Sequence, residues 1–318
     1  ASDPKRGDQW ALDRLDAEAV WDVSQGAGVT VAVLDTGVAT HEDLAESRIL
    51  AGADFTDGDA DGTGRDDGHG HGTHVSGIIN ASLNNNTGIA GLAPSADILP
   101  VRVLDSGGSG YWSWVAGGIT WATDHGADVI NMSLGGGDSE VLEVAVQYAV
   151  TAGVTVVAAA GNSRSSGSPV SYPAAYDGVT AVAATDNADD YASFSNEGSY
   201  VDIAAPGVAI LSTLPGNSYA SWSGTSMATP YVAATAALIH SNAAGPADAD
   251  AVLTGTAEDL GPVGRDNDFG YGLVDPIAAL MAVSEPGDPP ATPTGVTAVA
   301  TGARSGTVGW THDGTGVF

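Results

Sequence analysis

Four residues of this chain have the types and settings that acyl-transfer chemistry needs. Asp35 closes the apolar run Val33-Leu34-Asp35 and is followed by Thr36-Gly37. His71 lies in Gly68-His69-Gly70-His71-Gly72-Thr73-His74-Val75-Ser76-Gly77. Ser226 lies in Gly224-Thr225-Ser226-Met227-Ala228-Thr229-Pro230, and Asn162 ends Ala159-Ala160-Gly161-Asn162. A serine hydroxyl becomes a strong nucleophile when an imidazole takes its proton, and the imidazole is held in the working tautomer when a carboxylate binds its other nitrogen. A side-chain amide beyond a strand end can donate to the oxyanion that forms. Glycines around the histidine let a substrate backbone approach, and the small residues before the serine suit a tight turn.

Each residue also has a plainer reading. An Asp at a strand end is commonly a turn former or helix cap, and so is an Asn in a Gly-Asn pair. A serine before an apolar stretch is commonly an N-cap. Three histidines within six residues raise a metal site, but no Glu is interleaved among them and the glycines would hold such ligands poorly. The pieces gain weight together: an Asp, a His 36 residues later and a Ser 155 residues after that, each in a Gly-rich frame.

These residues need a scaffold that brings them to one edge. Apolar runs at 29–34, 98–104, 128–134 and 154–160 alternate with helix-period stretches near 71–82, 112–125, 139–152 and 227–241. Continuous Val/Ala/Ile runs are strands buried on both faces, and the alternation predicts an α/β fold of three layers, with a mostly parallel central sheet and helices on both faces. Chemistry in such folds gathers at the carboxyl ends of the strands, where Asp35, the 133–137 segment and Asn162 all fall. Ser226 precedes an apolar helix, whose N-terminal N–H groups favour negative charge. Pro230 is tolerable in a first turn.

Composition narrows the partners. The chain has 318 residues, 43% of them hydrophobic, enough for one large core and a short appendage. No run of about 18 apolar residues stands out as a membrane span. With no cysteine, thiolate nucleophiles, disulfides and Cys-ligated zinc are excluded. The 9 basic and 39 acidic residues give a net charge of −30, and 31 of the acids are Asp. Nucleic acid and anionic membranes are therefore poor partners. The acids read as a solvated surface suited to high salt, with a subset able to bind calcium.

The three blocks around Asp35, His71 and Ser226 resemble the signature blocks of the subtilisin-like serine proteases, nearest their thermitase branch. The resemblance covers about residues 1–283, including Phe269-Gly270-Tyr271-Gly272-Leu273-Val274-Asp275. The chain order Asp, His, Ser is the one known for subtilisin, and it counts here as part of the resemblance. The resemblance implies a secreted endopeptidase of broad specificity with a subtilisin-like fold. Ser226 would be the nucleophile and His71 the base, Asp35 would hold His71, and Asn162 with the Ser226 N–H would form the oxyanion hole. His69 and His74 would be structural.

By the same resemblance Gly108, Ser109 and Gly110 and the strand Ser133, Leu134 and Gly135 clamp an extended substrate by strand addition. Segments 133–135 and 159–162, with Ala160 and Gly161, would wall a first pocket without a charged floor, since Ser163 stands where some relatives carry Glu. Apolar or aromatic side chains should precede the cleaved bond. A further apolar pocket would involve Trp112, Val115 and Leu134, although Trp112 could equally be core.

One to three structural calcium ions are expected. Asn85 would give a side-chain oxygen, Ser82, Thr87 and Ile89 their carbonyls, and Asp3 and Asp43 carboxylates. Asp54, Asp57, Asp59 and Asp61 make a second candidate set, and Ala174, Tyr176, Val179 and Asp202 a third. Family members are made with a signal and an inhibitory propeptide, so Ala1 reads as a mature N-terminus. The propeptide and protein substrates are the expected partners of a monomer.

Two departures stand out: Tyr231 occupies a usual His position and Ala234 a usual Gly position. A dead binding module and a narrow cytosolic processing enzyme are the rival readings, and four intact site residues argue against the first. Beyond about residue 284 a proline-rich linker, 284–294, leads to 295–318. That stretch alternates like the first strands of a fibronectin type III module and stops short of a core.

Overall fold

Along the first long strand, β1 (Thr30–Asp35), side chains alternate between two cores. Val31 and Val33 enter one hydrophobic cluster and Ala32 and Leu34 the other, as the period-2 geometry of a strand requires. Both faces are thus buried, which explains the unbroken apolar run. The computed structural model describes residues 1–56, 60, 62–245 and 247–284, together with the backbone of 294–302 and 305–311.

Six further strands join β1: β2 (Ala53–Asp54), β3 (Asp97–Arg102), β4 (Val129–Met132), β5 (Thr155–Ala159), β6 (Val179–Thr185) and β7 (Ile203–Pro206). The order is β2-β3-β1-β4-β5-β6-β7, and every pairing is parallel. The α/β expectation is met. Strands β6 and β7, the short β2, and the antiparallel hairpin β8 (Ile210–Leu214) with β9 (Ser218–Trp222) were not read from sequence.

The helices sort by face. α1 (Trp10–Arg14), α2 (Ala17–Val23), α3 (His71–Asn80), α6 (Thr225–Asn242), α7 (Ala249–Gly255) and α8 (Pro276–Val283) pack with Val31 and Val33. α4 (Trp112–Asp124) and α5 (Glu140–Thr151) pack on the opposite face with Ala32 and Leu34. α6 is buried on all sides from Met227 to Ile239, which is why its sequence shows apolar and small residues with no polar stripe. It begins at Thr225, two residues earlier than expected. Pro230 therefore lies inside the helix and not in its first turn. Tyr231 and Ala234 are fully packed in this core.

Chain order reverses across β1. Strand β3 lies on one side of it and β4 on the other. The crevice at such a switch point opens at the carboxyl ends of the strands. Asp35 is the last residue of β1, and Ser133 directly follows β4.

Residues Ala1–Val283 make one compact unit and Ser284–Phe318 a second. In the second, β10 (Thr294–Gly302) and β11 (Ser305–Thr311) pair antiparallel. The proline-rich stretch 285–293 lies outside the described residues.

Candidate active site

The Asp35 carboxylate is fully buried and straddles the imidazole of His71. Its Oδ1 and Oδ2 lie 2.8 Å and 2.9 Å from His71 Nδ1. An ionised carboxylate only accepts, so Nδ1 carries the proton and the Nε2 lone pair is left to act as a base. The His71 side chain keeps 18% of its surface exposed. Burial alone would lower its pKa, but the charge of Asp35, the bond to it and the charge of Asp67 together hold it above the ordinary 6.5.

His71 opens α3, and a network around Asp67 fixes that helix start. Asp67 accepts from Gly70 N (2.7 Å), Thr73 N (3.0 Å), Thr73 Oγ1 (2.6 Å) and Thr36 Oγ1 (2.8 Å). Thr36 Oγ1 in turn accepts from Gly72 N at 3.0 Å, joining the end of β1 to the helix. Gly72 has to be glycine, because a Cβ there would stand 2.1 Å from the Gly37 carbonyl oxygen. Asp67 was missed by the sequence reading. An Asp three residues before a Gly that precedes a helix was the available signal.

Ser226 is the second residue of α6, with its N–H among those the first turn leaves without intrahelical partners. Its hydroxyl donates to Ser133 O at 3.1 Å. Among the described residues no hydrogen bond joins it to His71, although both line one cavity of about 420 Å³ with Asn162 and Trp222. Such bonds are often long without substrate and tighten when it binds. Asn162 Oδ1 accepts from Thr225 N (2.8 Å) and Thr225 Oγ1 (3.0 Å), so the amide orientation is set and Nδ2 remains as donor. Thr225 is a second residue the sequence reading missed.

Two clefts flank this centre. One, of about 470 Å³, is lined by Leu134, Gly135, Asn162, Ser163, Val170 and Ser226 among others, and none of its lining residues is charged. Gly161 lines it, but Ala160 does not. The Ala160 carbonyl accepts from Asn196 Nδ2 (3.0 Å) and Tyr200 OH (2.7 Å), and of the expected segment 159–162 it is Ala159, Gly161 and Asn162 that line the wall. The other cleft, about 520 Å³, gathers Gly108, Ser109, Gly110, Trp112, Ser133, Leu134 and Gly135. Trp112 is half-buried and lies against Gly136, where a Cβ would meet its ring at 2.7 Å. His69, expected only to be structural, is exposed on this cleft, while His74 is fully buried.

The calcium candidates separate. Asp3 and Asp43 are buried and both meet loop 82–89. Asp3 accepts from Asn84 N (2.8 Å) and Asn85 N (3.0 Å), and Asp43 from Asn85 Nδ2 (2.8 Å) and Ile89 N (2.8 Å). Ser82 N donates to Asp43 O, and Thr87 N to Asn85 Oδ1. Burial pushes the Asp43 carboxyl up. Neither carboxylate takes part in a salt bridge among the described residues. Two buried acids without a counter-charge, beside an amide and backbone carbonyls, suit a hard cation. Among the described residues no three His, Cys, Asp or Glu side chains cluster as a metal site. Asp54 is bound by Arg102 Nη1 (2.9 Å) and Thr56, and Asp57, Asp59 and Asp61 lie outside the described residues. At Asp202 the Arg265 guanidinium already supplies a positive charge 3.7 Å away.

A family model described as the subtilase family matches residues 26–272. The chain is 48% identical over 259 residues to thermitase of Thermoactinomyces vulgaris, covering 80% of this chain and 90% of that protein. It is 50% identical over 221 residues to subtilisin DY of Bacillus licheniformis, covering 68% and 78%, and 47% identical over 274 residues to subtilisin Savinase of Lederbergia lenta, covering 85% and 97%. With a parallel sheet whose switch-point crevice holds an Asp–His pair beside a helix-borne serine, the chain belongs to the subtilase family and is a subtilisin-like serine endopeptidase.

Proposed function

We propose that Ser226, His71 and Asp35 are the catalytic triad. Ser226 Oγ attacks the peptide carbonyl carbon, its proton passing to His71 Nε2. The imidazolium is stabilised by Asp35 and then protonates the leaving amine. The acyl-enzyme is hydrolysed by water in the reverse sense. Asn162 Nδ2 and the Ser226 N–H would receive the oxyanion. The observation that carries this is the buried two-oxygen contact of Asp35 with His71 Nδ1, facing a cavity shared by Ser226 and Asn162.

The uncharged cleft beside Ser226 supports a preference for apolar or aromatic side chains before the cut. The residues at 108–110 and 133–135 would hold the extended substrate by strand addition. At loop 82–89, Asp3, Asp43 and Asn85 with the Ser82, Thr87 and Ile89 carbonyls would hold calcium. The ion would supply the counter-charge the two buried acids lack. We further read the enzyme as secreted, monomeric and suited to high salt, the charge of −30 supporting the last. Among the described residues no helix is long and apolar enough to cross a membrane. The tail is read as the start of a fibronectin type III-like module.

A chromogenic peptide ending in Ala-Ala-Pro-Phe, assayed in calcium and high salt, tests the reading. Cleavage should vanish with a serine-reactive inhibitor and with Ser226→Ala. A folded, calcium-loaded wild type that leaves the peptide intact would refute it.

A further inference from the structure

Asn131 sits at the centre of the sheet, on β4, paired with Val33 on β1 and Val157 on β5. It is fully buried, on the sheet face that Val33, Val129 and Val157 share, and its Oδ1 has no hydrogen-bond partner. An amide in such a place, half unsatisfied, destabilises a core that a Leu of similar volume would fill without loss. Packing therefore gives no reason for it. Its one bond does: Nδ2 donates to Ser133 Oγ at 3.1 Å. That contact turns the Ser133 hydroxyl proton away from Asn131, and Ser133 Oγ donates to the carbonyl oxygen of Ser226 at 2.8 Å.

The Ser226 carbonyl has a particular need of this donor. In a regular helix it would accept from the N–H of the residue four positions on. That residue is Pro230, inside α6, which has no N–H. The same two residues meet a second time, Ser226 Oγ donating to Ser133 O at 3.1 Å. Two reciprocal bonds thus tie the end of β4 to the first turn of α6.

We propose that Asn131 and Ser133 are positioning residues for the reaction. Asn131 orients the Ser133 hydroxyl, and Ser133 fills the carbonyl left open by Pro230, holding the Ser226 backbone where its Oγ and N–H meet the substrate carbonyl. This rests on Ser226 being the nucleophile.

The test is steady-state kinetics on the chromogenic peptide, with kcat expressed per site titrated by a serine-reactive inhibitor. Ser226→Ala is run alongside; activity surviving in it would overturn the nucleophile reading itself. Asn131→Leu and Ser133→Ala are each expected to lower kcat about tenfold with KM within about twofold, the scale of one lost positioning hydrogen bond. Asn131→Leu should keep or raise the melting temperature, which a merely structural role would not allow. The double variant should be no slower than Ser133→Ala alone. In the Ser133→Ala background Pro230→Ala restores an N–H to the Ser226 carbonyl, and it should recover most of kcat. Unchanged kcat in both single variants, losses that multiply in the double variant, or no recovery with Pro230→Ala would each overturn the inference while leaving Ser226 in its role.

Discussion

Trp222 lies flat on His74, with ring planes 6° apart and centroids 4.6 Å apart. The same indole stacks more loosely over His71, with centroids at 6.2 Å. His74 is fully buried, and its Nε2 donates to Ala220 O at 3.0 Å, which sets the tautomer and leaves Nδ1 without a partner. Burial, with the nearby His71 adding to it, brings its pKa down to about 4.

That value predicts acid lability. A pKa lowered from 6.5 to about 4 means the folded state resists a proton that the unfolded chain accepts. The contribution is present above pH 6.5 and is lost as pH falls toward 4, amounting to about 3 kcal/mol. Urea unfolding at pH 7.5 and pH 4.5, in a Ser226→Ala background to prevent self-digestion, should show it. His74→Gln should flatten the difference between the two pH values. An equal fall in both proteins would place the lability elsewhere.

The rate should depend on pH in the direction set by Asp35. His71 must be neutral to take a proton, and its pKa lies above the ordinary 6.5. The rising limb of kcat/KM should therefore have its midpoint above 6.5. Removing the charge in Asp35→Asn leaves burial opposed only by the charge of Asp67, so any residual limb moves to lower pH. The loss in kcat should be about 10⁴-fold, the scale established for this change in other triads. A limb that stays in place would mean that another group sets it. The stability effect has the opposite sense: the charged pair stabilises the fold below 6.5 and is lost as pH rises through the raised value.

Asn162 is held by Thr225 through its oxygen, so Nδ2 is the part free to act. Asn162→Leu should lower kcat by about 10²–10³-fold with little change in KM, the magnitude established for one oxyanion-hole donor in subtilisin. Thr225→Val, which keeps the N–H to Asn162 and removes the hydroxyl, should give a smaller loss. Steady-state kinetics separates the two. A rise in KM alone would make Asn162 a binding residue.

Calcium removal should destabilise the fold through Asp3 and Asp43. With calcium at about 100 times its dissociation constant, binding to the folded form alone adds about 2.7 kcal/mol. A chelator should remove that stabilisation in thermal melts of the Ser226→Ala protein. Asp43→Ala should melt at one temperature with or without calcium. A wild type indifferent to chelator would show that the hydrogen bonds to Asp43 satisfy it without an ion.

The main strands and helices that carry Asp35, His71 and Asn162 were legible because both faces of the sheet are buried. Double burial forces unbroken apolar runs such as 29–34 and 154–160, and runs of that kind need no knowledge of partners. The hairpin β8–β9 was not legible, because its strands mix exposed and buried residues and are held by the pairing of Ile210 to Trp222 and its successors. Nor was the start of α6, where Gly224 and Thr225 take their roles from contact with Asn162.

By itself the sequence determined which side chains could do chemistry and the local turns that expose them. Gly70, left-handed just before His71, and the helix behind Ser226 are of this kind, since short-range sterics and hydrogen bonding act between near neighbours. Only the tertiary structure decided that Asp35 meets Nδ1 of His71 across 36 positions, that Ala160 within the expected segment turns away from the cleft, and that Asn131 serves Ser133 and Ser133 serves Ser226. These relations join residues on different strands and helices. Hydrogen bonds are satisfied by whatever donor the packed fold brings within about 3 Å, and no local pattern in the chain encodes that distance.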